Sequence, residues 1–298
     1  MRGTHPLLQG RIFWFKSTQT LAMSRLLAFL LLASIGSEAA RADELIRHAN
    51  DQESMMLGVS YLRERFQSID TANTLVPNQL SGPQIQIGYA NTRMRTLFGR
   101  PNFYIRSEVS FGLSQQNFKG DSRDPETGAP RRGDGPLDAE SESLRLRVGY
   151  LWEFGANRRF ALTPFVGVGE HAAVRGSSGV AGTGVYADFT GEVGLLGQVA
   201  LTPKIVLGAD ASTGHTIGAW QVEHRDVLGP TAVPSSFELY LDNRTFADWH
   251  QRMIVKYSDQ RFGGVESSTG TLQPQRHTGL SLQLEFGTEG DLFELFFR

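Results

Sequence analysis

Asp248 and His250 stand two residues apart, so an extended strand presents them on one face. A carboxylate beside an imidazole can orient the ring as a general base for an activated water. Ser212 and His215 are three apart, which sends them to opposite faces and denies the serine its base. Cysteine is absent, so thiolate nucleophiles, cysteine metal sites and disulfides are excluded. The glycine-rich run GVGEHA (167–172) lies in a strand pattern with no helix after it, so it is not a phosphate loop. Arg132-Gly133-Asp134, inside RRGDG (131–135), falls in the middle of the longest external loop and is a candidate adhesive tripeptide. A net charge of −2 argues against a nucleic-acid partner. Nothing in these patterns calls for a metal or a cofactor.

A second set of charges is interleaved with apolar residues. In LRLRVGYLWEF (144–154), Leu144, Leu146, Val148, Tyr150, Trp152 and Phe154 share one face, and Arg145, Arg147, Gly149, Leu151 and Glu153 share the other. The same period-two reading puts Arg106, Glu108, Glu192, Asp210, Arg252, Lys256 and Glu285 on the face opposite the apolar one. In a soluble sandwich that polar face would meet water, whereas in a membrane barrel it would point into the lumen.

The elements that carry these residues are alternating segments at 53–66, 83–96, 102–117, 144–154, 162–174, 185–202, 204–222, 246–261, 276–286 and 290–298. Several exceed the ~10 residues that a tilted strand needs to cross a bilayer. Long connections (67–82, 118–142, 223–245) alternate with short ones (97–101, 156–159, Pro203). Such sorting is expected when one end of a barrel faces the periplasm and the other faces outside. The spacing predicts ten strands; eight remain if 223–275 is one loop, and twelve if SSFELYLDN (235–243) adds a hairpin.

Upstream, MSRLLAFLLLASIGSEAARA (23–42) has one early positive charge, a short apolar run and an Ala-x-Ala end. That is the pattern of a secretory signal peptide cut before Asp43, with 1–22 an extension ahead of the true start and 43–298 the mature barrel domain.

LTPFVGVGEHAAV (162–174), FTGEVGLLGQVALTPKIVLGADAS (189–212) and GLSLQLEF (279–286) resemble the OmpA-like and opacity-protein-like outer-membrane barrels. The chain departs from them in ending on Phe297-Arg298, with the aromatic penultimate. The resemblance implies an integral outer-membrane barrel of a Gram-negative envelope and no particular activity. It implies as partners outer-membrane lipid and lipopolysaccharide, the assembly machinery and a host surface ligand. Asp248-x-His250 is similar to half the site of omptin-like proteases, whose second Asp-x-Asp pair is missing here.

The expectation is therefore an all-β, transmembrane, up-and-down antiparallel barrel of about ten strands. Its lumen holds the charge network Arg106, Glu108, Arg145, Arg147, Glu153, Glu192, Asp210, Arg252 and Lys256. The expected role is a non-enzymatic surface protein, structural or adhesive through long loops. The alternatives are a narrow porin and an omptin-like rim hydrolase using Asp248 and His250, which are otherwise solvated rim residues.

Overall fold

The computed structural model describes residues 42–288 apart from the connections 70–74, 124–129, 156–157, 177–183, 222–225, 229–232, 247–248, 263–264, 268–269 and 273–274. A short helix, α1 (Ala42–Ala49), leads into β1 (Gln52–Ile69), β2 (Leu75–Leu97), β3 (Arg100–Arg123) and β4 (Pro130–Tyr150). The next strands are β5 (Trp152–Phe154), β6 (Phe160–Gly176), β7 (Gly184–Thr202), β8 (Ile205–Gln221) and β9 (Asp226–Leu228). Then come β10 (Val233–Phe246), β11 (Trp249–Phe262), β12 (Val265–Ser267), β13 (Gly270–Leu272) and β14 (Gln275–Thr288).

Ten of these close a barrel. β1 to β4, β6, β7, β8, β10, β11 and β14 pair antiparallel in that order, and β14 returns to β1. Closure removes every open sheet edge, so each backbone amide within the wall finds a partner strand. β5 continues β4 against β6, and β12–β13 is a separate hairpin between β11 and β14. No helix of the described residues is long and apolar enough to cross a membrane.

Side chains alternate across the wall as the period of two requires. On β1, Met55, Leu57, Val59 and Tyr61 are more than half exposed, while Met56 and Ser60 between them are buried. β4 places Leu144 and Leu146 outside and Arg147 inside at 2 % exposure. An apolar outer band next to a charged, buried interior is the reverse of a water-soluble fold, and it fits hydrocarbon around the barrel. Below the band runs a chain of edge-on aromatic contacts, Phe98–Phe103–Tyr150–Trp152, with Phe154 stacked on Phe160 at 5.9 Å. Girdles of aromatic residues flank the apolar band of such barrels.

The two ends differ. Tight connections at Phe98-Gly99 and Pro203-Lys204 mark one end, where Phe98 and Gly99 adopt positive φ (53° and 72°). At the other end the wall is tall: β3 runs ten residues past Leu113, about 30 Å of strand at ~3.3 Å per residue, before turning into β4. Leu80, Phe118 and Leu137 form a buried apolar cluster on the inner face of this tall section.

Three expectations change. The strand count is ten, but 235–243 lies in β10, a full barrel strand, and the tenth expected segment (290–298) lies outside the described residues. Most of 118–142 is ladder rather than loop. Its polar, glycine-rich sequence lacks the one-sided apolar signal because that part of the wall stands clear of the apolar band. Arg132, Gly133 and Asp134 accordingly sit in the β4 ladder opposite Asp121, Gly120 and Lys119.

Candidate functional site: a sealed lumen beneath an open vestibule

At the tight-turn end the lumen is stoppered by α1. Leu45, Ile46 and Ala49 pack against Leu151, Ala161, Ala200 and Val206, which the barrel wall turns inward. Arg47 donates through Nε and Nη2 to the two oxygens of Glu153 at 3.1 and 3.0 Å, and Arg158 approaches the same carboxylate at 3.6 Å. Just inside, the Asn50 and Gln198 amides bond reciprocally at 2.8 and 3.1 Å. Arg252 Nη2 donates to the Ala49 carbonyl at 2.6 Å, which caps the C-terminal end of the helix with a cation.

Above the helix lies a layer of charges that crosses the bore. Arg252 donates to Asp242 (3.0 Å) and Glu285 (3.3 Å), and Arg106 donates to Glu285 (2.6 Å) and Glu108 (3.3 Å). Arg147 reaches Glu192 at 2.8 Å and Asp210 at 2.9 Å. Arg106 and Arg147 are direct cross-strand neighbours, so two like charges stand side by side. Each avoids the other by turning to different carboxylates. Arg145 and Lys256 converge on Glu238 at 3.3 and 2.8 Å and complete the layer. Burying so many charges is tolerable only because every one of these cations has a carboxylate partner.

Two glycines make room for it. A Cβ on Gly194 would lie 2.3 Å from the Phe165 ring, and one on Gly208 would lie 2.1 Å from the Tyr240 ring. The rings therefore lie flat against the wall, and Arg147 and Arg252 stack over them at 4.5 Å.

Beyond this floor the lumen widens into a polar chamber of about 260 Å³ that opens toward the tall rim. Half of its lining side chains are serine, threonine or glutamine, set among carboxylates, His171, His277, Arg145 and Lys256. Ser60 donates to Gln84 (3.0 Å), Gln84 to Ser141 (2.7 Å), and Gln283 to Gln86 (3.0 Å). Ser110 meets Ser143, and Ser212 meets Ser236, each at 2.8 Å. At the rim Arg276 donates to Asp259 at 2.7 Å, and this bond holds the Asp259 carboxyl below its usual range.

Of the residues singled out in the sequence, Arg106, Glu108, Arg145, Arg147, Glu192, Asp210, Arg252 and Lys256 all meet in this one layer or its immediate roof. Glu153 also points inward but binds Arg47 and Arg158 at the stoppered end, not Arg147. Ser212 donates to Glu192 at 3.1 Å, and His215 points outward, as their spacing required. His250 is not a solvated rim residue. It is 1 % exposed, and its Nδ1 lies 2.7 Å from Asp242 Oδ1. Asp248 lies outside the described residues.

Asp242 and Glu238, which anchor Arg252, His250 and Lys256, are not among the expected lumen charges, because 235–243 reads in sequence only as an optional hairpin. Its own alternation of Phe237, Leu239 and Leu241 with Glu238, Tyr240 and Asp242 carried the signal. Among the described residues no three His, Asp or Glu side chains are grouped so as to hold a metal.

No protein family matches the sequence, and no curated protein matches it. Among solved structures the chain is similar to the outer membrane protease OmpT from Escherichia coli, at 10% identity and TM-score 0.48, covering 81% of this chain and 97% of that one. It is similar to the translocator domain of the autotransporter NalP from Neisseria meningitidis at 12% identity and TM-score 0.45, covering 92% and 98%. It is also similar to the outer membrane protein OprG from Pseudomonas aeruginosa, at 11% identity and TM-score 0.33, covering 80% and 96%.

Proposed function

We propose that this chain is an integral outer-membrane barrel that works as a non-enzymatic surface protein with a closed lumen, presenting its tall rim to the outside. One observation carries the reading: the bore is filled from wall to wall by paired charges, with α1 seated beneath them. A ten-stranded barrel is only slightly wider than the eight-stranded kind that side chains fill, and far narrower than the ~16-stranded porins with an open channel. The 162–174, 189–212 and 279–286 resemblance to OmpA-like and opacity-protein-like barrels supports the same role. So does the burial of His250 beside α1, where a substrate in the rim chamber has no path to it. Outer-membrane lipid, lipopolysaccharide and the assembly machinery are its partners in this reading, and the tall β3–β4 section is the part offered to a host surface.

The absence of cysteine gives a clean test. Lys119→Cys on the tall rim and Lys204→Cys in a tight turn are each exposed positions. In intact cells a membrane-impermeant maleimide is expected to label Lys119→Cys alone, with Lys204→Cys labelled only after the envelope is opened. Labelling of Lys204→Cys first would invert the orientation, and labelling of neither before lysis would remove the protein from the surface.

A further inference from the structure

The outer face of the barrel is unevenly charged just beyond the apolar band. On β11, β14, β1, β2 and β3, one outward row in register is wholly aliphatic: Val255, Leu282, Val59, Ile85 and Leu113. Toward the tall rim the next row holds Tyr257, Leu280 and Tyr61, and Arg63 follows two residues after Tyr61. The row after that reads Arg261, Arg276, Arg65, Gln79 and Lys119, and its four cations are exposed.

Arg65 and Arg276 stand directly opposite each other, as do Arg276 and Arg261. Like charges so placed destabilise a sheet. Asp259 takes Arg276 at 2.7 Å and Arg261 at 3.2 Å, so one carboxylate serves two guanidinium groups. Arg63 donates to the neutral Gln79 at 2.8 Å. Even with Asp134, which stands opposite Lys119 at the edge of the row, five cations face two carboxylates. The exposed acids Asp138, Glu140 and Glu142 lie on β4, and Glu170 on β6, so the wall is basic on one flank and acidic on the next. A basic row left in surplus is stable against an anionic neighbour.

Its height says which neighbour. At ~3.3 Å per residue, Arg65 stands ~13 Å along β1 from Tyr61. With a strand tilt of about 40°, the row rises about 10 Å above the tyrosines. A phospholipid headgroup layer adds only ~5–8 Å on each side of the hydrocarbon. Four strand spacings of ~4.8 Å make the row ~19 Å wide. Guanidinium groups grip phosphate through paired hydrogen bonds, and basic clusters beside a membrane draw anionic headgroups. A row this high and this wide suits phosphates carried on a sugar headgroup.

We propose that Arg261, Arg276, Arg65 and Lys119, with Arg63 below them, form the docking site for the phosphorylated sugar headgroup of the outer-leaflet glycolipid, lipopolysaccharide. The site rests on the reading that the tall rim faces outside.

The test uses the full refolded protein in zwitterionic detergent, titrated with bisphosphorylated lipid A and read by native mass spectrometry. Dephosphorylated lipid A and phosphatidylglycerol are the comparisons. Saturable binding of bisphosphorylated lipid A is expected, at least tenfold tighter than either. Arg63→Gln, Arg65→Gln and Lys119→Gln together break no ion pair among the described residues and are expected to weaken binding at least tenfold. Arg65→Gln alone is expected to weaken it at least threefold, which decides the matter should the triple variant fail to refold. A matched triple at the tight-turn end, Arg95→Gln with Arg100→Gln and Lys204→Gln, is expected to bind like the parent. The proposal is overturned if either comparison lipid binds as tightly, if the refolded tall-rim variants bind like the parent, or if the tight-turn triple loses as much. It is also overturned if the tall-rim variants change oligomeric size while lipid A binding stands, which would give the row to the acidic flank of a second copy. Loss of lipid A binding while Lys119→Cys is still labelled from outside strikes this site alone, whereas first labelling of Lys204→Cys strikes the orientation whatever binds.

Discussion

Replacing Arg147 with methionine removes the cation that joins two walls of the lumen while keeping much of its stem volume. Arg147 is 2 % exposed, bonds Glu192 at 2.8 Å and Asp210 at 2.9 Å, and stacks over Phe165 at 4.5 Å. Removing one partner of a buried pair costs about 3–5 kcal/mol, because the remaining charge has neither water nor a mate. Arg145 already stands 3.7 Å from Glu192 and can take up part of the load there. Asp210 has no such reserve: its Oδ1 accepts no hydrogen bond among the described residues. The Arg145 reserve at Glu192 sets the loss near the lower end of that range, about 3 kcal/mol, and the stranded Asp210 keeps it from falling further.

Urea unfolding of the protein in lipid vesicles, followed by tryptophan emission, measures it. Adding Glu192→Gln and Asp210→Asn to Arg147→Met is expected to recover most of the loss, since neutral groups of the same shape no longer leave charge unpaired. An Arg147→Met barrel within about 1 kcal/mol of the parent, or a triple variant no better than the single, would refute the reasoning that pairing holds this layer together.

On the outer face, Leu146→Arg sets a charge against hydrocarbon and is expected to cost about 2–4 kcal/mol near the midplane, read in the same unfolding assay. Equal stability would mean that this face does not meet lipid. At the rim, the Asp259 carboxyl is held low by Arg276, so its stabilising effect is complete above the ordinary carboxylate pKa of ~3.9 and is lost as pH falls through the lowered folded value. Asp259→Asn is thus expected to be less stable than the parent at neutral pH and to converge with it in acid; a gap that persists below pH ~2 would deny the pair its role.

The membrane-facing wall was legible because hydrocarbon enforces one strict pattern. Every even residue of 144–154 is apolar, and the structure turns every odd residue of that run inward. Legibility failed where lipid stops. The upper halves of β3 and β4 are polar on their outer face, so ladder and loop look alike in sequence, and Arg132-Gly133-Asp134 reads as loop for that reason. β10 reads only as an optional hairpin because it has just three outward apolar residues, Phe237, Leu239 and Leu241.

Long-range partners were beyond the sequence altogether. The alternation places Glu153 inward but cannot say that its partner is Arg47, 106 residues earlier, on a helix inside the barrel. His250 looked solvated because burial there depends on Asp242 and on the seat of α1, which are brought together only when the wall closes.

Planar-bilayer recording of the refolded protein tests the sealed lumen most directly. With the charge layer and α1 both in place, only brief, small current fluctuations are expected over the applied voltage range. A large, stable, single-step conductance from protein that still shows heat-dependent gel mobility would contradict the closed lumen and make the chain a narrow porin.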